Sequence, residues 1–521
     1  FLDQPSEIKD YMSSNRNNRK IARNTMFLYA RMFVTMLFGI YTSRIVLEAL
    51  GETNFGIYNV VGGIVIILNF LNATLVASTQ RYINMSLGER SASYTKDVFS
   101  AAIKIHHVLS LIIVLLAETI GFWFMNTVLT IPEDRVFAAN VIYQFSIVTV
   151  FLSINTSPLQ AMVISQEKMG YYAILSMVST FAKFLFAYYL LVTMQDRLIV
   201  YGGTLCLVGL IDYLLYRIIC SRNIEVCRGK LAVKDKSIYK SMLSFSSWAL
   251  IGSLAGSLSN QGINILLNIF FGPAVNAARG LAMTFNNYVY SFVANFTIAV
   301  NPQIVKTYAS NEYESMYDLL LKSIKFSVFL FAFLAFPVLF EAKFILGLWL
   351  KEVPEYTTAF CQIIVLESFV SCAERPMATA CNAIGCVKQV NLSVGVLYML
   401  SFVVSWGLLL MTSNALIPFI VHFVTILIGV ICFLLFIGKY IHINKIFFVK
   451  KVVIKSIVTL LPPALILAAI HYNMEEGWRR AITTCIASFS IITISIYYIG
   501  FDKTERSKII SMIKQKIVSK L

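Results

Sequence analysis

The sequence predicts an all-α integral membrane protein of about fourteen transmembrane helices, arranged as two pseudo-symmetric six-helix lobes plus two C-terminal helices. Three observations predict it. The chain is 58% hydrophobic and 13% charged, where a soluble protein carries about 25% charged residues. Its apolar residues gather into runs of about 20, the length that crosses a hydrocarbon core of about 30 Å as a helix. The layout is also written twice at one constant separation. Gly51 is echoed by Gly272, Asp97 by Asp318, Ile103 by Ile324 and Lys104 by Lys325. The pair Pro132-Glu133 is echoed, one residue out of register, by Pro354-Glu355.

In chain order the apolar runs fall at 24–47, 57–79, 105–125, 136–158, 171–193, 198–219, 242–271, 281–304, 326–349, 357–380, 390–411, 415–438, 454–472 and 481–500. They divide the chain into a polar N-terminal segment (1–23), an N-lobe of six spans (24–220), a basic linker (221–241) and a C-lobe of six spans (242–438). Two further spans with a basic loop before them (439–500) and a basic tail (501–521) follow. Residues 1–20 are polar and the first run lacks a small-residue cleavage site, so no cleavable signal is expected. The polar stretches 80–104 and 301–325 predict short interfacial helices at matching places in the two halves. Thr156-Ser157-Pro158 and Glu374-Arg375-Pro376 place prolines at related depths, either as pivots or as ordinary membrane-helix prolines.

The formal net charge of +16 raises nucleic acid as a partner, but its distribution excludes it. Most Lys and Arg lie on the side of the spans that holds both termini, above all in Arg222 to Lys240, Lys439 to Lys455 and Lys503 to Lys520. That is the positive-inside pattern, with both termini in the cytoplasm and anionic membrane lipids as contacts. The nine cysteines form no CxxC, and the five histidines have no paired-ligand spacing, so neither a metal nor a cofactor is expected. No phosphate-binding glycine motif is present. The outward loops are too short for a catalytic domain, so any chemistry lies inside the bundle, in the layout of a transporter with a substrate site between the halves.

An ionised group inside a span costs about 2.5–3.5 kcal/mol on insertion scales, which makes each one a functional candidate. Arg31 and Thr35 share one face of span 1 with Thr42. Span 7 carries Asn260, Gln261, Asn264 and Asn268, an amide stripe that faces either a cavity or a neighbouring helix. Amides both donate and accept, as sugar hydroxyls require. Gly252, Ser253 and Gly256 earlier in span 7 predict close helix packing. Arg279 opens span 8, and Asn286, Asn287 and Asn295 follow. Span 10 carries Glu367, Glu374 and Arg375. Lys183 and Asp212 lie in adjacent spans and can pair, whereas Glu341 and Lys343 point to different faces and need other partners.

The segments NTMFLYARMFVTMLFGIYTSRIVLEALG, FGIYNVVGGI and RYINMSLGE resemble the opening of bacterial polysaccharide flippases. SFSSWALIGSLAGSLSNQGINILLNIFFGPAVNAARG resembles the start of their second half. The family is the O-antigen and capsule translocases of the multidrug/oligosaccharidyl-lipid/polysaccharide exporter superfamily. The resemblance implies a multi-pass protein of the bacterial cytoplasmic (inner) membrane, not an enzyme. It would move oligosaccharide repeat units on an undecaprenyl diphosphate carrier by alternating access, with other polysaccharide assembly proteins as further partners. Arg31 and Arg279 stand where the related lipid II flippases carry arginines. Taken with the polar residues of the spans, the expected cargo contacts are Arg31, Thr35, Asn260, Gln261, Asn264, Asn268, Arg279 and Arg375, with Asp212 or Glu374 as the holder of a coupling ion. Related lipid II flippases carry a second arginine about two turns along span 1, where this chain has Leu37 and Phe38. The alternatives are a multidrug/cation antiporter of the same superfamily, which prefers acidic cavity residues, and a membrane polysaccharide polymerase or ligase, which the short outer loops disfavour.

Overall fold

In the computed structural model, residues 4–68, 70–88, 92–166, 168–228, 233, 235, 237–309, 311–441, 445–503, 505–507 and 511 are described. All regular structure among them is helical. Eleven helices among the described residues are long and apolar enough to cross a membrane. They include Lys445–Asn473 and Trp478–Gly500, the last two expected spans. The other expected spans (57–79, 242–271 and 281–304) contain residues whose side chains lie outside the described set, and their described backbone is helical.

The chain divides into two compact units, Phe1–Ala277 and Ala278–Leu521. The first contains α1 (Gln4–Leu68), α2 (Phe70–Gly88), α3 (Ala92–Leu116), α4 (Phe122–Thr127), α5 (Val136–Ser165), α6 (Met169–Val192), α7 (Arg197–Asn223) and α8 (Ser237–Phe271). The stretches 80–104 and 301–325 are not separate interfacial helices. Their described polar residues extend the ends of the neighbouring long helices. Pro158 lies inside α5 and Pro376 inside the helix Thr357–Ile384.

α8 packs on α1 and α2, so the segment that opens the expected C-lobe belongs to the first compact unit. Ser78 donates to the Met242 carbonyl at 3.0 Å. A Cβ on Gly256 would meet open space, so that glycine does not mark the close packing expected of it. The tight approach is at Gly56, where a Cβ would stand 1.7 Å from the Pro273 carbonyl oxygen. Gly51 and Gly272, the paired glycines of the repeat, both have positive φ (73° and 81°). Each ends a helical stretch with a positive φ that glycine adopts without a Cβ clash.

The core of this unit is built from α2, α3, α5 and α7, with Ile83, Phe99, Ile154, Met162 and Tyr216 among its buried side chains. Lipid tails are as apolar as these side chains, so close packing and internal hydrogen bonds hold the helices together rather than exclusion of water. Asp196 caps α7 by accepting from the amides of Leu198 (2.9 Å) and Ile199 (3.3 Å). Arg135 grips the same carboxylate at 2.8 and 3.0 Å. Partial burial pushes this carboxyl up, but the Arg135 and backbone bonds together outweigh it and hold it below the ordinary carboxylate value. The clamp is therefore fully charged at neutral pH.

The second unit contains most of α9 (Pro273–Ala309), then α10 (Tyr313–Trp349), α11 (Thr357–Ile384), α12 (Val387–Met411), α13 (Ile417–Ile441), α14 (Lys445–Phe448), α15 (Lys455–Asn473) and α16 (Trp478–Ser495). Aromatic rings interlock α9, α10 and α11: Phe331 lies 5.9 Å from Tyr290 and 4.8 Å from Phe369. α15 and α16 both pack on α10. Near its N-terminal end, α16 is fixed by Glu341, which is 1% exposed. It accepts from Arg480 Nε and Nη2 at 3.1 and 3.0 Å and from Thr484 at 3.0 Å. The backbone leaves helical geometry at Glu341, four residues after Pro337. Lys343 turns away from it and meets Glu476 at 3.1 Å. Toward the N-terminal end of α10, Lys325 holds both oxygens of Glu505 at 2.7 Å.

Glu341→Ala should lower the stability of the protein in detergent by about 3–5 kcal/mol, because it strands a buried guanidinium. Glu341→Leu combined with Arg480→Leu should recover most of that loss. Thermal exposure of the buried cysteines measures both, and equal loss in the single and double variants would refute the pairing. Gly56→Ala should also destabilise the protein, since the clash is with backbone that cannot rotate away. A midpoint matching the parent would contradict this.

Candidate functional site

In the first unit, Arg31 is half-buried on α1. Its Nη1 donates to the Tyr172 hydroxyl on α6 at 2.9 Å, and its guanidinium lies 4.8 Å from the centre of that ring. The two contacts fix the fork of the arginine while leaving other donors for a ligand. Thr35 gives its hydroxyl to the Arg31 and Met32 carbonyls of its own helix (2.9 and 3.1 Å). Asp212 on α7 accepts from Ser179 on α6, and Lys183 lies within electrostatic reach of it, which is the expected neighbouring pair.

The amide stripe of α8 separates into parts with different work. Asn268 is fully buried. It accepts from the Thr130 amide at 2.8 Å and donates to the Thr130 carbonyl at 3.2 Å. This two-way pairing mimics a strand partner and ties the 128–132 loop to α8. Asn264 donates to Gln261 Oε1 at 2.7 Å, and the two side chains lie against the backbone of Gly63. Asn260 and Gln261 are half-buried.

The second unit holds a charged network. Arg279 on α9 is 4% exposed and lies within electrostatic reach of Glu367 on α11. His422 Nδ1 on α13 stands 3.2 Å from Glu367 Oε1. Asn286 and Ser368 join α9 to α11 at 3.0 Å. Glu374, two turns beyond Glu367 on the same face, accepts from the Tyr398 hydroxyl of α12. Arg375 is exposed, with its guanidinium 4.8 Å from the Tyr290 ring centre. Every cation here has a carboxylate or an aromatic ring beside it.

An apolar groove of about 600 Å³ opens on the second unit between α10, α11, α13 and the α14–α15 region. Val328, Phe336, Phe369, Leu427, Val452 and Leu460 are among its walls, and Ser456 is the one polar lining residue.

The MatE family profile matches residues 249–407. No curated protein sequence matches. Among solved structures, the fold is similar to an inward-facing multidrug resistance MATE family transporter of the MOP superfamily, at 12% identity and a TM-score of 0.65. That match covers 80% of this chain and 98% of the other. It is similar to the lipid II flippase MurJ in an inward closed conformation, at 11% identity and a TM-score of 0.66, covering 90% of this chain and 98% of that one. It is also similar to a MOP superfamily transporter from Pyrococcus furiosus described as having a binding pocket of reverse polarity. There the identity is 13%, the coverage 81% and 95%, and the TM-score 0.61. The fold is thus the one shared by MATE transporters and MurJ.

Sequence reasoning singled out Arg31, Glu367, Glu374 and Arg375 but missed the groups that hold them: Tyr172, His422, Tyr398 and Tyr290 respectively. Their signal was present as hydroxyl- and imidazole-bearing rings within apolar spans, where a polar tip needs a partner. A double-mutant cycle with Arg31→Lys and Tyr172→Phe should give a coupling energy of about 1–2 kcal/mol in thermal unfolding. Additive effects of the two changes would mean that the contact does not hold the arginine.

Proposed function

We propose that this protein is a flippase that moves undecaprenyl-diphosphate-linked oligosaccharide units across the bacterial cytoplasmic membrane by alternating access, for O-antigen or capsule assembly. Its termini lie on the cytoplasmic side and it performs no covalent chemistry. The observation that carries the reading is arginine within membrane-spanning helices: Arg31, braced by Tyr172, and Arg279, 4% exposed. Such groups are costly in a bilayer unless they serve an anionic ligand or a fixed partner. A diphosphate is the anion that a planar guanidinium fork binds best. Asn260, Gln261 and Asn264 offer donors and acceptors to sugars. The apolar groove of the second unit suits part of a polyisoprenyl tail. The fold similarity to a lipid II flippase supports the same class of cargo.

Glu367 and Glu374 favour a second reading, a multidrug/cation antiporter, because carboxylates inside a bundle bind cationic substrates or coupling ions. The MatE match and the MATE structures fit it as well. In this reading Arg279 and Arg375 hold the carboxylates and do not meet cargo.

Reconstituted into proteoliposomes, the protein should translocate a fluorescent undecaprenyl-diphosphate oligosaccharide. Arg31→Ala should slow it about tenfold or more, the loss of one charge-assisted contact. Unchanged flipping by Arg31→Ala would remove that residue from the mechanism. Extrusion of a cationic dye without any lipid flipping, abolished by Glu374→Gln, would establish the second reading instead.

A further inference from the structure

A separate cavity of about 430 Å³ lies in the first unit, over α5 and between α3 and α7. None of the cargo candidates lines it. Asn155 forms part of its floor, His107 stands on the α3 side, and Tyr213, Arg217 and Ser221 stand on the α7 side. Arg228 closes its lower end, just past the short 3₁₀ turn Glu225–Cys227. Its charged lining residues are Arg217 and Arg228, with His107 as a third basic group, and no carboxylate is among its described lining residues. The polar lining is organised. Arg228 donates to the terminal carbonyls of α7, Ser221 at 3.0 Å and Arg222. His107 Nδ1 lies 3.2 Å from Asn155 Oδ1, and Asn155 donates to Ser110 at 3.0 Å. These bonds set Arg228 and His107 in place before anything binds.

Both walls continue into apolar stripes. On α7, Leu210 and Leu214 lie above Arg217 on the same face and are 41% and 45% exposed. On α3, Leu111 and Leu115 lie one and two turns above His107 and are 52% and 64% exposed. In a membrane-spanning unit these stripes face acyl chains. The cavity sits at the end of α7 that leads into the basic linker, the side that the positive-inside pattern assigns to the cytoplasm.

We propose that this cavity binds the phosphate of an anionic phospholipid of the cytoplasmic leaflet, with the headgroup against Arg217 and Arg228 and the acyl chains along the two stripes. A phosphodiester is an acceptor-only anion, and guanidinium groups meet it with paired donors. Basic pockets between transmembrane helices on the cytoplasmic side recognise such headgroups. The same cavity chemistry suits a free phosphate ion, but a free ion gains nothing from the leucine stripes, which select the lipid. The bound lipid would brace the inner ends of α3, α5 and α7. The proposal is independent of what the protein transports.

The test is native mass spectrometry of the purified full chain titrated with phosphatidylglycerol or phosphatidylcholine. Arg217→Gln with Arg228→Gln should weaken the first phosphatidylglycerol about thirtyfold, two headgroup charges' worth, and leave phosphatidylcholine unchanged. Arg217→Lys with Arg228→Lys should restore most of the binding, and thermal melting in phosphatidylcholine should show that both variants are folded. Lys240→Gln with Lys439→Gln, two exposed cations outside the cavity, should have little effect. Retained phosphatidylglycerol in the glutamine pair would overturn the proposal, as would an equal loss in the distal lysine pair. Displacement of the lipid by millimolar inorganic phosphate would assign a free-anion site and overturn the lipid.

Discussion

The structure depends on one constraint: hydrocarbon offers no hydrogen bond, so every polar group inside a span must find its partner in the protein. That is why all regular structure among the described residues is helical. It also explains the behaviour of the hydroxyls. Thr35, Thr42, Ser43, Thr149 and Thr156 all donate back to carbonyls of their own helices, which satisfies the donor without a second helix. Charged groups cannot do this. Glu341 therefore gathers Arg480 and Thr484 from α16 and in doing so fixes the extra helix pair to α10.

The same constraint separates structural polarity from polarity that can serve a ligand. Asn268 has both ends of its amide matched to one backbone residue, Thr130, so a cargo contact would have to break the loop anchor. Arg31 is different, because a tyrosine hydroxyl and ring use only part of a five-donor fork. In the second unit the arginines and carboxylates compensate one another, Arg279 beside Glu367 and Glu374 held by Tyr398.

Much of the frame was legible in the sequence because membrane spans are long and their signal is compositional. The repeat was legible at Gly51 and Gly272, since a helix end with positive φ favours glycine and both residues have that conformation. The packing was less so. Gly256 matched a small-residue pattern yet faces open space, whereas Gly56 touches the Pro273 backbone. Which face of a helix meets a neighbour is a tertiary fact that composition does not encode. The candidate site was read as a set of charged and amide residues, and these are where polarity occurs. The rings that orient them were not read, because an aromatic residue in an apolar run looks the same whether or not its tip is bonded.

The repeat and its exceptions together explain the C-terminal helix pair. Lys104 and Lys325 occupy the same place in the two halves. Lys104 is exposed, as a lysine near the membrane surface is expected to be. Lys325 is 5% exposed and holds Glu505, a residue just after α16 that has no counterpart in the first half. Nearby, a Cβ on Gly500 would stand 2.9 Å from the Phe329 ring, so the chain reaches α10 there with little room for a side chain. Asp97 and Asp318 show the opposite change: Asp97 is buried, and Asp318 is exposed beside Lys322. The same residue types at matching sequence positions thus meet different surroundings and differ in burial. Lys325 is an internal tie toward one end of α10, and Glu341 is a tie toward the other. Both ties of α10, Lys325 to Glu505 and Glu341 to Arg480, reach residues with no counterpart in the first half, so charged contacts as well as packing bind the C-terminal helix pair to the second unit.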